Sequence, residues 1–140
     1  MKLFFIAAFL VISGNSYANN DEDPCKNPRN RMEFAACDKY KYKKEDARLN
    51  DVYSKLMSFS KSYFNIGSSK TGQQTGDNVA NKLREAQRTW IKYRDANCNY
   101  QYHTYYPGSH ASKAAQKCKL MMTKTRADEL QKQYDFWSTR

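Results

Sequence analysis

Apolar and polar residues recur with helical periods along most of this chain. The clearest stretch is Val79, Leu83, Ala86, Trp90, Tyr93 and Asn97, spaced by four, three, four, three and four. That alternation predicts a helix packed lengthwise on its neighbours through a narrow seam. Asp77 or Asn78 is placed to cap its start. Pro107 bars it from running further, and its end is expected near Cys98. Upstream, Asn30 is set to cap a first helix, with Glu33 three residues on reaching back and Pro28 discouraging an earlier start. Met32, Ala36, Tyr40, Ala47, Leu49, Val52, Tyr53, Leu56, Phe59 and Tyr63 supply its apolar positions, and from Leu49 onward they share one face. The lysines between Lys39 and Lys44 are assigned to the solvated side.

From Gly67 to Asn78 the chain is polar and glycine-bearing, which predicts a connection between antiparallel helices. A tyrosine-rich loop is expected from Asn99 to His110. A third helix then begins near Ala111, capped by Ser109 or Ser112, and buries Ala115, Cys118, Met122, Thr125, Leu130, Tyr134 and Trp137. No strand pattern and no internal repeat occur. The fold class is all-α, a compact three- or four-helix bundle.

The first 18 residues differ from the rest. Met1 and Lys2 precede ten apolar residues, Leu3 to Ile12, and a small polar stretch ends at Ser16, Tyr17 and Ala18. This is the pattern of a secretory signal cleaved after Ala18. Ten apolar residues are half of the roughly 20 a spanning helix needs, so no transmembrane anchor is expected. The first cysteine, Cys25, lies too far beyond Ala18 to carry a lipid at the cleavage point. Residues 19–140 are expected to form one domain, periplasmic or secreted.

Export changes what the cysteines mean. Cys25, Cys37, Cys98 and Cys118 make an even set in a small exported chain, which reads as two disulfides. Three connectivities exist. The local pairs, Cys25 with Cys37 and Cys98 with Cys118, are favoured because each closes a short segment at a helix end, and crossed pairing between the long helices is the competitor. Charge changes the picture next. The whole chain carries a net +10. Losing Lys2 with the signal leaves 23 basic against 14 acidic side chains, a net +9. Such a surplus favours anionic surroundings such as cell-wall carboxylates, lipid phosphates or an acidic protein, and it also serves simply as a solubilising surface.

Polar residues inside the second helix are the most informative feature of the mature chain. Gln87, Arg88, Arg94 and Asp95 lie close to the seam. With the helix ending near Cys98, Asp95 falls in the last turn, where the dipole disfavours an anion, and Arg94, Lys92 or Arg126 is expected to compensate it. Asp46 and Asn50 in the first helix raise the same question. Asp46, Asn50, Gln87, Arg88, Arg94, Asp95 and Arg126 are read first as a structural polar network, since buried polar groups are costly unless paired. Ligand contact is the alternative.

Catalytic chemistry has little support. The two histidines, His103 and His110, share one loop with no nucleophile at a recognisable spacing. Zinc held by Cys98, His103, His110 and Cys118 fits no familiar pattern, and exported cysteines are usually oxidised. No phosphate loop is present, so no cofactor and no metal are expected, and export argues against a nucleic-acid partner. Tyr100, Tyr102, His103, Tyr105, Tyr106, Ser109 and His110 form a candidate partner-contact loop, because tyrosines make rigid amphipathic contacts. The alternative folds them inward as a lid over a Cys98–Cys118 bridge.

Taken in order, Cys37; Asp46, Leu49, Asn50 and Tyr53; Leu83, Ala86, Gln87, Arg88, Trp90, Tyr93, Arg94, Asp95 and Cys98; Tyr106, Gly108 and Ser109; then Cys118, Thr123, Arg126 and Leu130 resemble the N-terminal domain of the lysozyme inhibitor LprI family. The piece LREAQRTWIKYRDANC, residues 83–98, is the most specific part. The resemblance implies an all-helical, disulfide-bearing envelope protein, with inhibition of lysozyme as the activity for which the family is named. It carries over no inhibitory residue. Two departures stand out. Pro107 replaces the glycine usual before Gly108. A +9 protein also meets net repulsion from the common basic lysozymes unless an acidic patch such as Asp21, Glu22 and Asp23 offsets it. The expected partner is therefore a muramidase or another cell-wall hydrolase, with immunity against a hydrolase toxin as a close variant. The rival reading is an adaptor resting on anionic cell wall or lipid.

Overall fold

The computed structural model describes residues 23–64 and 76–140. The proposed signal segment, residues 1–18, and the acidic residues Asp21 and Glu22 lie outside them. The described residues form three helices, α1 (Arg31–Tyr63), α2 (Gly76–Tyr105) and α3 (Ala111–Ser138), with no strand among them. They run up, down and up, each packing on the other two, so α1 and α3 lie parallel with α2 antiparallel beside them.

The start of α1 is fixed by local chemistry. Asn30 adopts an extended backbone and its side chain accepts from the amides of Met32 and Glu33, both at 3.0 Å. Glu33 reaches back to the Arg29 amide at 2.6 Å and to the Asn30 amide group at 2.6 Å. These bonds satisfy donors that a helix start otherwise leaves open. The core cluster is Leu49, Val52 and Leu56 of α1 with Ala127 and Leu130 of α3, and Tyr53, Leu83, Trp90 and Tyr134 pack against it. Ala127 has no exposed surface, and its small side chain lets α1 and α3 approach closely.

Two helix boundaries depart from expectation. The second helix does not end near Cys98 but continues to Tyr105, absorbing most of the expected tyrosine loop. Aromatic composition suggested a loop, yet tyrosine and histidine carry only a modest helical penalty, and extending a helix already formed is far easier than starting one. The stop comes at Tyr106, the residue before Pro107, where the proline ring disfavours helical backbone. The same helix begins at Gly76, so the last residues of the expected polar connection are helical. A Cβ on Gly76 would lie 2.7 Å from the Ser60 carbonyl oxygen, so glycine permits this close approach to the end of α1.

The third helix starts at Ala111 as expected, but neither serine caps it. His110 holds the cap position without a side-chain cap bond, and the Ser109 hydroxyl instead lies 3.3 Å from His110 Nδ1. Its buried positions are Ala111, Thr123, Ala127 and Leu130, whereas Thr125 is exposed. Both local disulfides are present, Cys25–Cys37 and Cys98–Cys118, with Cα separations of 4.7 and 5.5 Å.

Candidate functional site

Two groups of side chains carry chemistry. The first is a polar junction at mid-bundle where all three helices meet. Arg94 projects inward from α2 and is only 8% exposed. Its Nε donates to Asp95 Oδ1 at 3.1 Å, and Nη1 donates to the fully buried Thr123 hydroxyl at 3.3 Å. Asp46 of α1 stands 3.9 Å from the same Nη1, and Lys119 of α3 adds a second cation 3.5 Å from Asp95. Burial pushes the Tyr42 phenol above its usual value; the neighbouring Arg94 opposes the shift, while Asp46 and Asp95 add to it.

Two turns earlier on α2, Gln87 Oε1 accepts from Arg126 Nε at 3.1 Å, and Arg126 pairs with Glu129 at 3.1 Å. The Arg94 and Arg126 guanidinium carbons lie 5.2 and 5.9 Å from the Trp90 ring centre, so one indole links the two parts by cation–π contact. Among the described residues no buried side-chain nitrogen or oxygen lacks a partner. A junction paired in this way fixes the register of the helices.

The second group lies at the end of the bundle where α1 starts, α2 ends and α3 starts. Tyr100, Tyr105 and Tyr106 are 66%, 52% and 62% exposed. Tyr102 stacks on Tyr106 at 5.9 Å and meets His103 edge-on at 5.3 Å. The rings therefore support one another outside the core, and the inward lid is not what the chain forms. Tyr106 and Pro107 are joined by a cis peptide bond. Gly108 closes the turn, its amide donating to the Tyr105 carbonyl at 2.7 Å, and a Cβ there would press on that oxygen. Arg31 of α1 donates to the Ser109 carbonyl at 2.6 Å, tying the turn to the first helix. Beside it opens a cleft of about 550 Å³ whose walls include Arg31, Phe34, Ser109, His110 and Lys113. The cleft is basic on balance, with Arg29, Arg31 and Lys113 set against Asp38.

A family model described as lysozyme inhibitor LprI matches residues 25–130. The chain belongs to the LprI lysozyme inhibitor family. The LprI match takes in both disulfides, the polar junction and the tyrosine end, and it stops before Tyr134 and Trp137. A protein of Rhizobium meliloti described as uncharacterized is 24% identical over 131 residues, covering 89% of this chain and 88% of its own length. No solved structure matches. Membership in LprI and the two disulfides are those of an exported protein, and no described helix is long and apolar enough to cross a membrane.

Within this LprI fold the residues singled out from the sequence are distributed unevenly. Asp46, Arg94 and Asp95 come together, Asn50 reaches Asp46 at 3.5 Å, and Gln87 pairs with Arg126. Arg88 is exposed and stands outside both groups. Asp95 lies mid-helix and not in a last turn, so the helix dipole does not act on it as expected. Its second cation is Lys119, not Lys92 or Arg126. Tyr42 and Lys119 were not foreseen, and Thr123 was named only in the family resemblance, because each joins the junction only through the crossing of separate helices. The same holds for Arg31, Phe34 and Lys113 at the cleft. Cys98 and Cys118 are bonded to each other, which removes the thiolates from the zinc alternative.

Proposed function

We propose that the chain, after losing residues 1–18, acts outside the cytoplasm as a binding protein that occludes a peptidoglycan-degrading muramidase and performs no reaction of its own. The observation that carries this reading is the LprI match over residues 25–130. The exposed tyrosine end supplies the contact: Tyr100, Tyr105 and Tyr106 present broad rings with few rotatable bonds, held by a turn anchored to α1. His103, Ser109 and His110 surround them with donors and acceptors, and Tyr102 buttresses the set. Such a surface suits insertion into a groove on another protein.

Charge selects among targets. The mature net charge of +9 favours an acidic bacterial muramidase, including a hydrolase toxin against which this chain confers immunity, over a basic animal lysozyme. The test is to titrate the oxidised mature protein into peptidoglycan digestions by one enzyme of each kind. Stoichiometric loss of the acidic enzyme's activity is the expected result. No loss with either, together with salt-sensitive retention on purified cell wall, would replace this reading with that of an envelope adaptor. Release of peptidoglycan fragments by the protein alone would overturn the non-enzymatic assignment.

A further inference from the structure

Charge is unevenly distributed along the folded chain. No acidic residue occurs between Asp95 and Asp128, while Lys113, Lys117, Lys119, Lys124 and Arg126 all lie there. That stretch contains the end of α2, the proline turn and the first half of α3. The cleft beside the tyrosine end thus opens where a long segment offers cations and no carboxylate. The start of α1 adds Arg29 and Arg31 to its walls.

Within the cleft, opposite charges are left apart. Arg29, Arg31, Lys113 and Asp38 all line it, yet none of the four enters an ion pair among the described residues. Lys119 and Arg126, by contrast, are engaged by Asp95 and Glu129. Arg31 is anchored without being neutralised: its Nη2 donates to the Ser109 carbonyl at 2.6 Å, which holds the guanidinium at the wall while its charge stays uncompensated. His110 holds the cap position of α3 with no side-chain bond, so no capping side chain occupies a helix end whose dipole favours an anion. Phe34, 51% exposed, gives the same cleft an apolar surface.

We propose that this cleft binds the free carboxyl end of a peptide. Its volume of about 550 Å³ falls within the roughly 300–1,000 Å³ of small-ligand sites. The planar Arg31 fork, assisted by Lys113, matches a terminal carboxylate. Asp38 accepts a backbone N–H of the same peptide, and Phe34 supports an apolar side chain near its end. Asp38 also sets selectivity, because a second anion in the cleft repels a phosphate dianion more than a single carboxylate that brings N–H donors with it. The inference goes beyond the inhibitor reading and stands without it.

The test titrates acetyl-alanyl-alanine, in its L,L and D,D forms, into the oxidised mature protein by calorimetry, beside the two C-terminal amides and inorganic phosphate. The expected result is saturable one-to-one binding of an acid, about tenfold tighter than that of its amide. Lys113→Gln and Arg31→Gln should each weaken it about fivefold. Lys117→Gln removes the same charge outside the cleft and should leave binding within about twofold. The Lys113 variant is decisive: that side chain is exposed and makes no ion pair, so the unfolding midpoint is expected to stay unchanged, whereas Arg31 also holds the turn. Preference for the D,D acid assigns the ligand to cell-wall stem peptides, which end in D residues, and preference for the L,L acid assigns it to protein C-termini. Binding of neither acid, equal binding of acid and amide, phosphate bound as tightly as the acids, or equal losses in the Lys113 and Lys117 variants would each overturn the proposal. None of these outcomes depends on whether the protein inhibits a muramidase.

Discussion

Both ends of the bundle are rich in aromatic residues, and they are closed by different means. Where α1 and α3 end, rings cross between helices. Phe59 meets Tyr134 edge-on at 6.2 Å, and Tyr63 and Phe64 meet Trp137 at 6.1 and 5.6 Å. At the opposite end the ring contacts join Tyr102, His103 and Tyr106, all within five residues of one another along the chain. No aromatic pair ties two helices together there among the described residues. The bridges do that work: Cys98–Cys118 staples α2 to α3, and Cys25–Cys37 pins the leading segment to α1. Covalent closure releases the tyrosines from structural duty, and it is at that end that the proposed contact surface lies.

Removing the bridge that closes the open end should have the largest effect. Cys98→Ser with Cys118→Ser is expected to cost about 3 kcal/mol of unfolding free energy, measured by denaturant titration. A cost well under 1 kcal/mol would mean that the bridge is not what holds this end. Trp137→Ala should follow at about 2 kcal/mol, below the range for a fully buried tryptophan because Trp137 is only partly covered. Tyr105→Ala with Tyr106→Ala should change stability by no more than about 0.5 kcal/mol, as exposed surface positions do, while removing muramidase inhibition. Equal destabilisation by the Trp137 and the double tyrosine changes would erase the distinction between the ends.

The smallest effect belongs to the junction between them. Burial raises the Tyr42 phenol above its ordinary value near 10, so the folded state holds that proton more tightly than the unfolded chain. Stability from this source is complete below the unfolded value and is lost as pH rises through the folded one. The parent protein should therefore lose more of its thermal midpoint between about pH 9 and about pH 11 than Tyr42→Phe does. Matching pH profiles would show that Tyr42 is not held neutral by its surroundings.

Much of the fold was legible because its signals are local. Asn30 with Glu33 announced the start of α1, the four-and-three spacing announced α2, and the short separations within each cysteine pair favoured the bridges that form. The misjudged end of α2 has an equally local explanation: Pro107 marked the boundary, and the tyrosine content before it was mistaken for a loop. The site was less legible. The tyrosines could be named, but whether they closed the core or faced outward depended on what else held that end together.

Sequence alone determined that the chain is helical, which segments are helices, which cysteines are near neighbours and that the surface is basic, since each follows from composition or from spacing within one segment. Only the tertiary structure decided which face of α2 turns inward. The apolar spacing favours Tyr93 and the buried pairing favours Arg94, one residue apart on the same helix. Asp46, Thr123 and Lys119 come from other helices, and the sum of their hydrogen bonds and charges is what Arg94 and Asp95 meet by turning that way. Such a sum does not exist until the three helices have met.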